Sequence, residues 1–354
     1  MASDLDLELL ALLNRRAAEW ATISGSARSA EDRDSDAAVI AAVIRANTGP
    51  LTNAHVSLLW RELLTASRSL NSPTRVAYLG PAGTFSELAA MAMFGSSLGK
   101  VVCGSIDEVF RATSAGTAHC GVIPIENSTE GMVARSLDLL RASPLTIVAE
   151  NSMYIEHCLL RRVSDLAAIV AVCAHPQALA QCHEWLSRNL PGIELRPVGS
   201  NAEGARLAAA DPRLVAIASS RAATEHSLSI VATAIQDEPY NRTRFVVLVD
   251  PSSPPVRLGA LAALAEASFR TSLIVSVPNH PGVVHDLLLP LKQHGVSMSR
   301  LESRPARLAG EWEYYFYIDV EGRAEEPNIA AALGELRHLC TFWKLLGSYP
   351  VMAS

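Results

Sequence analysis

The feature that most constrains this chain is a change of hydrophobic period at Ser72-Pro73. Before it, apolar residues recur at helical spacing: Leu5, Leu9, Leu12 and Leu13, then Ala37, Ile40, Ala41 and Ile44, then Val56, Leu59, Trp60, Leu63 and Leu64. The breaker cluster Asn47-Thr48-Gly49-Pro50 separates the second run from the third. After Pro73, short β-branched runs alternate with helical runs, the pattern of an α/β unit with a parallel sheet. Strands are expected at 76–79, 121–125, 145–149, 168–173, 215–218 and 245–249, and helices at 85–94, 132–140, 177–190 and 202–210. One chain thus holds a unit that packs helical stripes and a unit that buries strands between layers.

A third unit follows Pro251-Ser252-Ser253-Pro254-Pro255, a linker by composition. Its order is strand 272–277, helix 283–294, strand 296–302, strand 313–320 and helix 328–339, a ferredoxin-like α+β arrangement. The boundaries are 1–72 helical, 73–250 α/β, 251–267 linker and 268–354 α+β. A length of 354 residues suits two or three domains at roughly 150 residues each. Three helices with such stripes need one another or a partner chain, so a homodimer or higher oligomer is expected.

Charge and cysteine use exclude several classes. A formal net charge of -6 argues against a nucleic-acid partner, which calls for a basic stripe. The longest apolar run, Leu258 to Ala267, is interrupted by Glu266 and falls short of the ~18 residues of a membrane span. Asp4, Asp6 and Glu8 give the N-terminus the wrong sign for a signal peptide. None of the six cysteines forms a C-x-x-C pair, and no histidines cluster at metal spacing. A reduced, cytoplasmic protein without metal or cofactor is expected.

Four motifs carry polar residues at strand ends, where open α/β sheets face their ligand crevice. Gly80-Pro81-Ala82-Gly83-Thr84-Phe85-Ser86-Glu87 lies between a strand and a helix. Thr84 with Glu87 fits a capping box, and the helix start offers N–H groups to a carboxylate. In Pro124-Ile125-Glu126-Asn127-Ser128-Thr129-Glu130-Gly131, Asn127 and Ser128 suit a hydroxyl or carboxylate; helix capping by Ser128 or Thr129 is the alternative. His175-Pro176-Gln177 opens another helix. Asn241-Arg242-Thr243-Arg244-Phe245 sets two guanidinium groups about one hydroxyl, and arginine matches carboxylates bidentately.

Together these motifs resemble the prephenate dehydratase family across 75–249: G-P-x-G-T-F-S at Gly80 to Ser86, P-I-E-N-S at Pro124 to Ser128, H-P-Q at His175 to Gln177 and T-R-F at Thr243 to Phe245. The resemblance implies a two-lobed, periplasmic-binding-protein-like fold with the site between lobes. It implies loss of carbon dioxide and water from prephenate to give phenylpyruvate, in L-phenylalanine biosynthesis. Thr243 is then the proton donor to the departing hydroxyl, helped by the field of Arg242 or Arg244. Thr84, Ser86, Glu126, Asn127, Ser128, His175, Gln177, Arg244 and Phe245 are substrate-binding, with Arg244 on the pyruvyl carboxylate.

Pro281-Gly282 and Leu301-Glu302-Ser303-Arg304-Pro305 resemble the ACT regulatory domain of these enzymes, which implies phenylalanine binding and inhibition at a subunit interface. Val283-Val284 stands where the family has Ala-Leu, and the bulkier Val283 narrows that effector pocket. The helical unit resembles a chorismate mutase domain: Leu9 to Arg16 matches its first helix, with Arg16 on a substrate arginine. The mutase lysine position reads Ala27 beside Arg28, and later polar positions read Ser35-Asp36 and Asn71. Lost donors to developing charge imply a weak or inactive mutase retained for structure. The competing readings are an arogenate dehydratase, a non-aromatising prephenate decarboxylase and a non-catalytic amino-acid sensor.

Overall fold

The structure is a computed structural model that describes residues 2–23, 33–70, 73–163, 168–254, 268–278, 280–306 and 313–352. Arg28, Ala27, Asn71 and most of the expected linker lie outside the described residues.

Helices α1 (Asp4–Ile23), α2 (Arg33–Ala46) and α3 (Asn53–Ser69) form the N-terminal unit. Its core is small: Ile40 and Leu64 are buried, with Val39, Ile44 and Trp60 packed against them. On α1, Leu5, Leu7, Leu9, Leu10 and Leu12 stay more than half exposed. Helix α3 docks on the α/β unit through Glu62, whose carboxylate accepts from Ser96 N at 3.3 Å and Ser96 Oγ at 2.7 Å.

The α/β unit has two lobes. The first contains β1 (Arg75–Leu79), α4 (Phe85–Phe94), β2 (Gly99–Cys103), α5 (Ile106–Ser114), β3 (Cys120–Asn127), β4 (Gly131–Met132), α6 (Ala134–Ala142) and β5 (Thr146–Tyr154). The second contains β6 (Cys158–Arg161), β7 (Ala171–Ala174), α7 (Pro176–Gln181), α8 (His183–Asn189), β8 (Glu194–Pro197), α9 (Asn201–Ala210), β9 (Leu214–Ala218), α10 (Ser220–His226) and β10 (Ser229–Ala232). The chain then returns through β11 (Arg242–Val249) to the first lobe, whose sheet order is β5-β11-β3-β1-β2. The second lobe has order β10-β6-β9-β7-β8.

Strands β1, β2 and β3 are parallel, as alternation predicts, but β11 runs antiparallel between β3 and β5. A strand that re-enters from the other lobe is not bound by the crossover rule that makes neighbours parallel. The helix expected over 177–190 divides at Cys182, because the Asp237 carboxylate accepts from Glu184 N and Trp185 N and starts a new helix.

The C-terminal unit holds β12 (Phe269–Ser276), α11 (Val283–Gln293), β13 (Met298–Ala306), β14 (Glu313–Glu321), α12 (Pro327–Leu339) and β15 (Phe342–Met352), with sheet order β13-β14-β12-β15. Period two divides its side chains. Leu273, Val275, Phe316, Ile318 and Val320 pack with Leu287 and Leu291 of α11 and Leu336 of α12. Ile274, Tyr317, Leu346 and Tyr349 face the other way, into one core with Ile123, Leu137, Val246 and Leu248 of the first lobe. Strand β15 also pairs in parallel with β5, so a single sheet runs through both units. Tyr317 Oη donates to Leu137 O at 3.0 Å, and the Lys344 ammonium caps α6 at the Leu140 and Ser143 carbonyls. At ~1.5–3 kcal/mol for each buried large apolar side chain, this shared core welds the two units together.

Candidate active site

A cleft of about 640 Å3 lies between the lobes. The helix starts around it are polar. Thr84 caps α4: its hydroxyl accepts from Glu87 N at 3.3 Å and donates to Leu79 O at 2.9 Å. The reciprocal arm of the expected capping box reaches one residue further back, with Glu87 accepting from Gly83 N at 2.6 Å. Burial pushes the Glu87 carboxyl up, but the Gly83 N–H and Lys100, at 2.6 Å, outweigh it and hold it below the usual range. Gly83 has φ +88°, and a Cβ there would sit 3.0 Å from Ala222 Cα of the second lobe. The residue must therefore be glycine on both counts. Ser219, the cap of α10, donates to Gly83 O at 2.7 Å and closes the lobe junction.

The second lobe adds two further caps. His175 Nδ1 accepts from Gln177 N at 3.3 Å, and Ser200 Oγ accepts from Glu203 N at 3.1 Å. Asn201 ties them together by accepting from His175 N at 2.9 Å. His175, Gln177, Ser200, Asn201 and Glu203 all line the cleft. So do His157 and Gln181, joined Nε2 to Oε1 at 3.0 Å, with the His157 ring edge-on to Phe85. Burial pushes the His157 pKa down, so its imidazole is neutral.

At the floor, Thr243 of β11 stands beside Asn127 of β3. Asn127 Nδ2 donates to Thr243 Oγ1 at 2.9 Å and to Asn241 Oδ1 at 2.8 Å. Asn127 Oδ1 accepts from Thr129 N at 3.0 Å and Glu130 N at 3.1 Å, which fixes the orientation of its amide. The Thr243 hydroxyl is thereby an acceptor from Asn127, and its own proton is left to the cleft. Helix capping does not explain this motif, since α6 begins at Ala134 after a Val133 that makes no side-chain cap bond.

A bulge produces this register. Arg244 pairs with Glu126 while Phe245 pairs with Pro124, so Ile125 is the extra residue. Pro124 and Asn127 both line the cleft, whereas Ile125 packs into the core behind the sheet and Glu126 bonds Arg244. Bulges re-aim side chains in this way.

The expected site residues therefore divide by face. Thr84, Ser86, Asn127, His175, Gln177, Thr243 and Phe245 come together in the cleft. Ser128 sits just behind it, accepting from Arg242 N at 2.9 Å. Arg244 and Glu126, expected on substrate, point to the opposite face of the sheet, because neighbours on a strand alternate. Arg242 lies over the Tyr154 ring, 4.0 Å from its centroid, and hydrogen-bonds its hydroxyl. None of the described lining residues is a lysine or arginine. His157, Gln181, Ser200, Asn201 and Ser219 were not legible in the sequence. Ser200, three residues before Glu203, has the spacing of the Thr84–Glu87 box and was the one available signal.

Comparison with known proteins shows the family. The prephenate dehydratase family matches residues 76–253, and the ACT domain family matches 271–338. The chain belongs to the prephenate dehydratase family. A bifunctional chorismate mutase/prephenate dehydratase of Neisseria gonorrhoeae is 40% identical over 352 residues, 98% of this chain and 94% of that one. A prephenate dehydratase of Arthrobacter aurescens, solved in complex with L-Phe, is 32% identical with TM-score 0.69, covering 79% of this chain and 93% of that one. GqqA, described as a novel type of quorum-quenching acylase, is 30% identical with TM-score 0.69, covering 78% and 98%.

In the ACT domain the expected effector residues occupy two elements. Gly282, at φ +86°, starts α11 after an exposed Pro281, and Val283 packs on the domain core. Leu301, Glu302, Ser303, Arg304 and Pro305 lie on β13, the edge of the sheet. Leu301 faces the helices, whereas Arg304 faces the dehydratase domain, 3.7 Å from Asp138. In the N-terminal unit, Arg16 is half-buried on α1. Among the described residues no helix is long and apolar enough to cross a membrane, and no three potential metal ligands cluster.

Proposed function

We propose that this chain converts prephenate to phenylpyruvate, carbon dioxide and water in the interlobe cleft, with Thr243 as the proton donor. The observation that carries this is the Asn127–Thr243 hydrogen bond, whose fixed direction leaves the threonine proton for an oxygen in the cleft. As the ring carboxylate leaves, its C–C bonding electrons enter the ring and the C–O bond breaks. Thr243 donates to the departing oxygen and takes a proton back from solvent, so water leaves rather than hydroxide and one solvent proton is consumed overall.

The described residues that line the cleft include no guanidinium group, which suits this reaction. A cation tightly paired to the ring carboxylate would hold charge that has to move into the ring. The pyruvyl carboxylate is instead met by N–H groups at the start of α4 and by the Ser86 hydroxyl, where a helix end favours an anion. Leu79, Phe85, Val133, Ile155 and Phe245 supply an apolar wall for the ring.

Phenylalanine is the proposed inhibitor, bound between α11 and β13. The open edge of β13 supports pairing with a second copy. The helical unit is proposed to serve structure with little mutase activity, and six free cysteines suit a cytoplasmic enzyme.

The test is phenylpyruvate formation by the purified chain, with arogenate as the competing substrate and L-phenylalanine as effector. Prephenate turnover that phenylalanine suppresses is expected. Thr243→Ala is expected to lower kcat by ~10²–10³-fold while substrate still binds. Undiminished turnover in that variant removes Thr243 as the donor.

A further inference from the structure

The back face of the catalytic strand carries a buried ion network that the chemistry above does not use. Arg244 bonds Glu150 through Nε at 2.9 Å and Nη2 at 2.7 Å, and Glu126 through Nη1 at 2.6 Å. Its Nη2 also bonds Asp319 at 3.0 Å, and Asp319 belongs to β14 of the ACT domain. Arg300 of β13 holds the same carboxylate, Nε to Oδ2 at 3.0 Å and Nη2 to Oδ1 at 3.2 Å. Ser272 of β12 donates to Asp319 Oδ1 at 2.5 Å, and Arg270 bonds Glu150. Guanidinium and carboxylate groups match one for one, and Glu150 and Asp319 are 1% and 0% exposed.

Two features make this network more than a weld. First, it shares peptide units with the site. Thr243 and Arg244 are neighbours on β11, and Asn127 and Glu126 are neighbours on β3. The 2.9 Å Asn127–Thr243 bond and the 2.6 Å Glu126–Arg244 bond are thus two faces of one strand pair. Second, it ends beside the effector strand. Arg300 directly precedes Leu301-Glu302-Ser303, and the sheet sends Leu301 to the helix side and Arg300 to the dehydratase side. The buried Asp319 carboxylate is shared between Arg244 and Arg300, so a movement of Asp319 changes the set of charges that Arg244 is paired with.

We propose that Asp319 and Arg300, both in the ACT domain, are positioning residues for the dehydratase site. Through Arg244 they hold Thr243 against Asn127, and through the same chain effector binding at β13 reaches the cleft. This rests on the reading of the chain as a phenylalanine-inhibited prephenate dehydratase.

The experiment uses full-length wild type, Asp319→Asn, and Arg300→Lys, which keeps the charge but not the two-point contact. Phenylpyruvate formation gives kcat and KM, and equilibrium dialysis with labelled phenylalanine gives binding. In Asp319→Asn, kcat without effector is expected to fall ~10-fold with KM within ~3-fold, since displacing a reacting group by about 1 Å costs up to ~10²-fold. Phenylalanine is expected to bind still, while its inhibition of turnover weakens by at least ~10-fold, a coupling of ordinary size. Arg300→Lys is expected between wild type and Asp319→Asn. Should Asp319→Asn give no cooperative melt, the decoupling is read from Arg300→Lys alone. A normal kcat and undiminished inhibition, with only a lower melting temperature, would overturn the proposal, as would inhibition lost because phenylalanine no longer binds. Wild type that fails to make phenylpyruvate refutes the function and this inference together. Active, inhibited wild type beside unaltered variants refutes the inference alone.

Discussion

Thr243 shows how much of a residue's chemistry is set by one neighbour. A threonine hydroxyl is a weak acid, and it has both a donor and an acceptor role available. Asn127 takes the acceptor role, and two backbone N–H groups keep the Asn127 amide from turning round. Asn127→Ala is therefore expected to cost about 10²-fold in kcat with a modest change in KM, as for other single transition-state donors. Thr243→Ser, which keeps the hydroxyl, should retain most of what Thr243→Ala loses; steady-state kinetics on prephenate checks both. The residue types at these positions were legible from P-I-E-N-S and T-R-F. Their division between two faces was not, because it depends on which neighbour the Ile125 bulge displaces.

At the scale of elements, the cleft depends on helix starts brought close to strand ends. Gly204 allows this for α9: a Cβ there would run into the Cys173 carbonyl of β7. Gly204→Ala is expected to destabilise the second lobe by ~1–3 kcal/mol through overpacking, visible as a lower melting temperature. It should also raise KM, because Ser200 and Asn201 at the start of α9 line the cleft. Helix α4 is legible in the sequence with the bounds it has, since Thr84 and Glu87 mark its start. Strand β15 is not legible in the sequence. Its Gly347 and Pro350 look like breakers, and its partners β12 and β5 lie far away in sequence.

In the whole molecule, the ACT domain shares a core and a sheet with the first lobe, so acid should weaken them together. Burial pushes the Asp319 carboxyl up, but Arg300 and Arg244 outweigh it and hold it below the usual range. Glu87 is held low as well. A depressed carboxyl contributes stability that is complete above the unfolded pKa, roughly 4, and is lost as pH falls through the folded value. Calorimetry should show a lower melting temperature at pH 3 than at pH 7, with a smaller drop in Asp319→Asn. Chorismate consumption is expected to be at least ~10²-fold below that of a competent mutase, because the resemblance implies that donors to developing charge are lost at Ala27, Ser35-Asp36 and Asn71. Full mutase turnover would reverse that expectation.

Hydrophobic period and short motifs, both local in the chain, were enough to set three units, the order of most elements and the residue types of a dehydratase cleft. Tertiary structure alone decided which side of the sheet each motif residue faces. Strand pairing and its bulge decide that, and they are contacts between segments far apart in sequence. The same contacts turned Arg244 from an expected substrate ligand into the link between the ACT domain and the site.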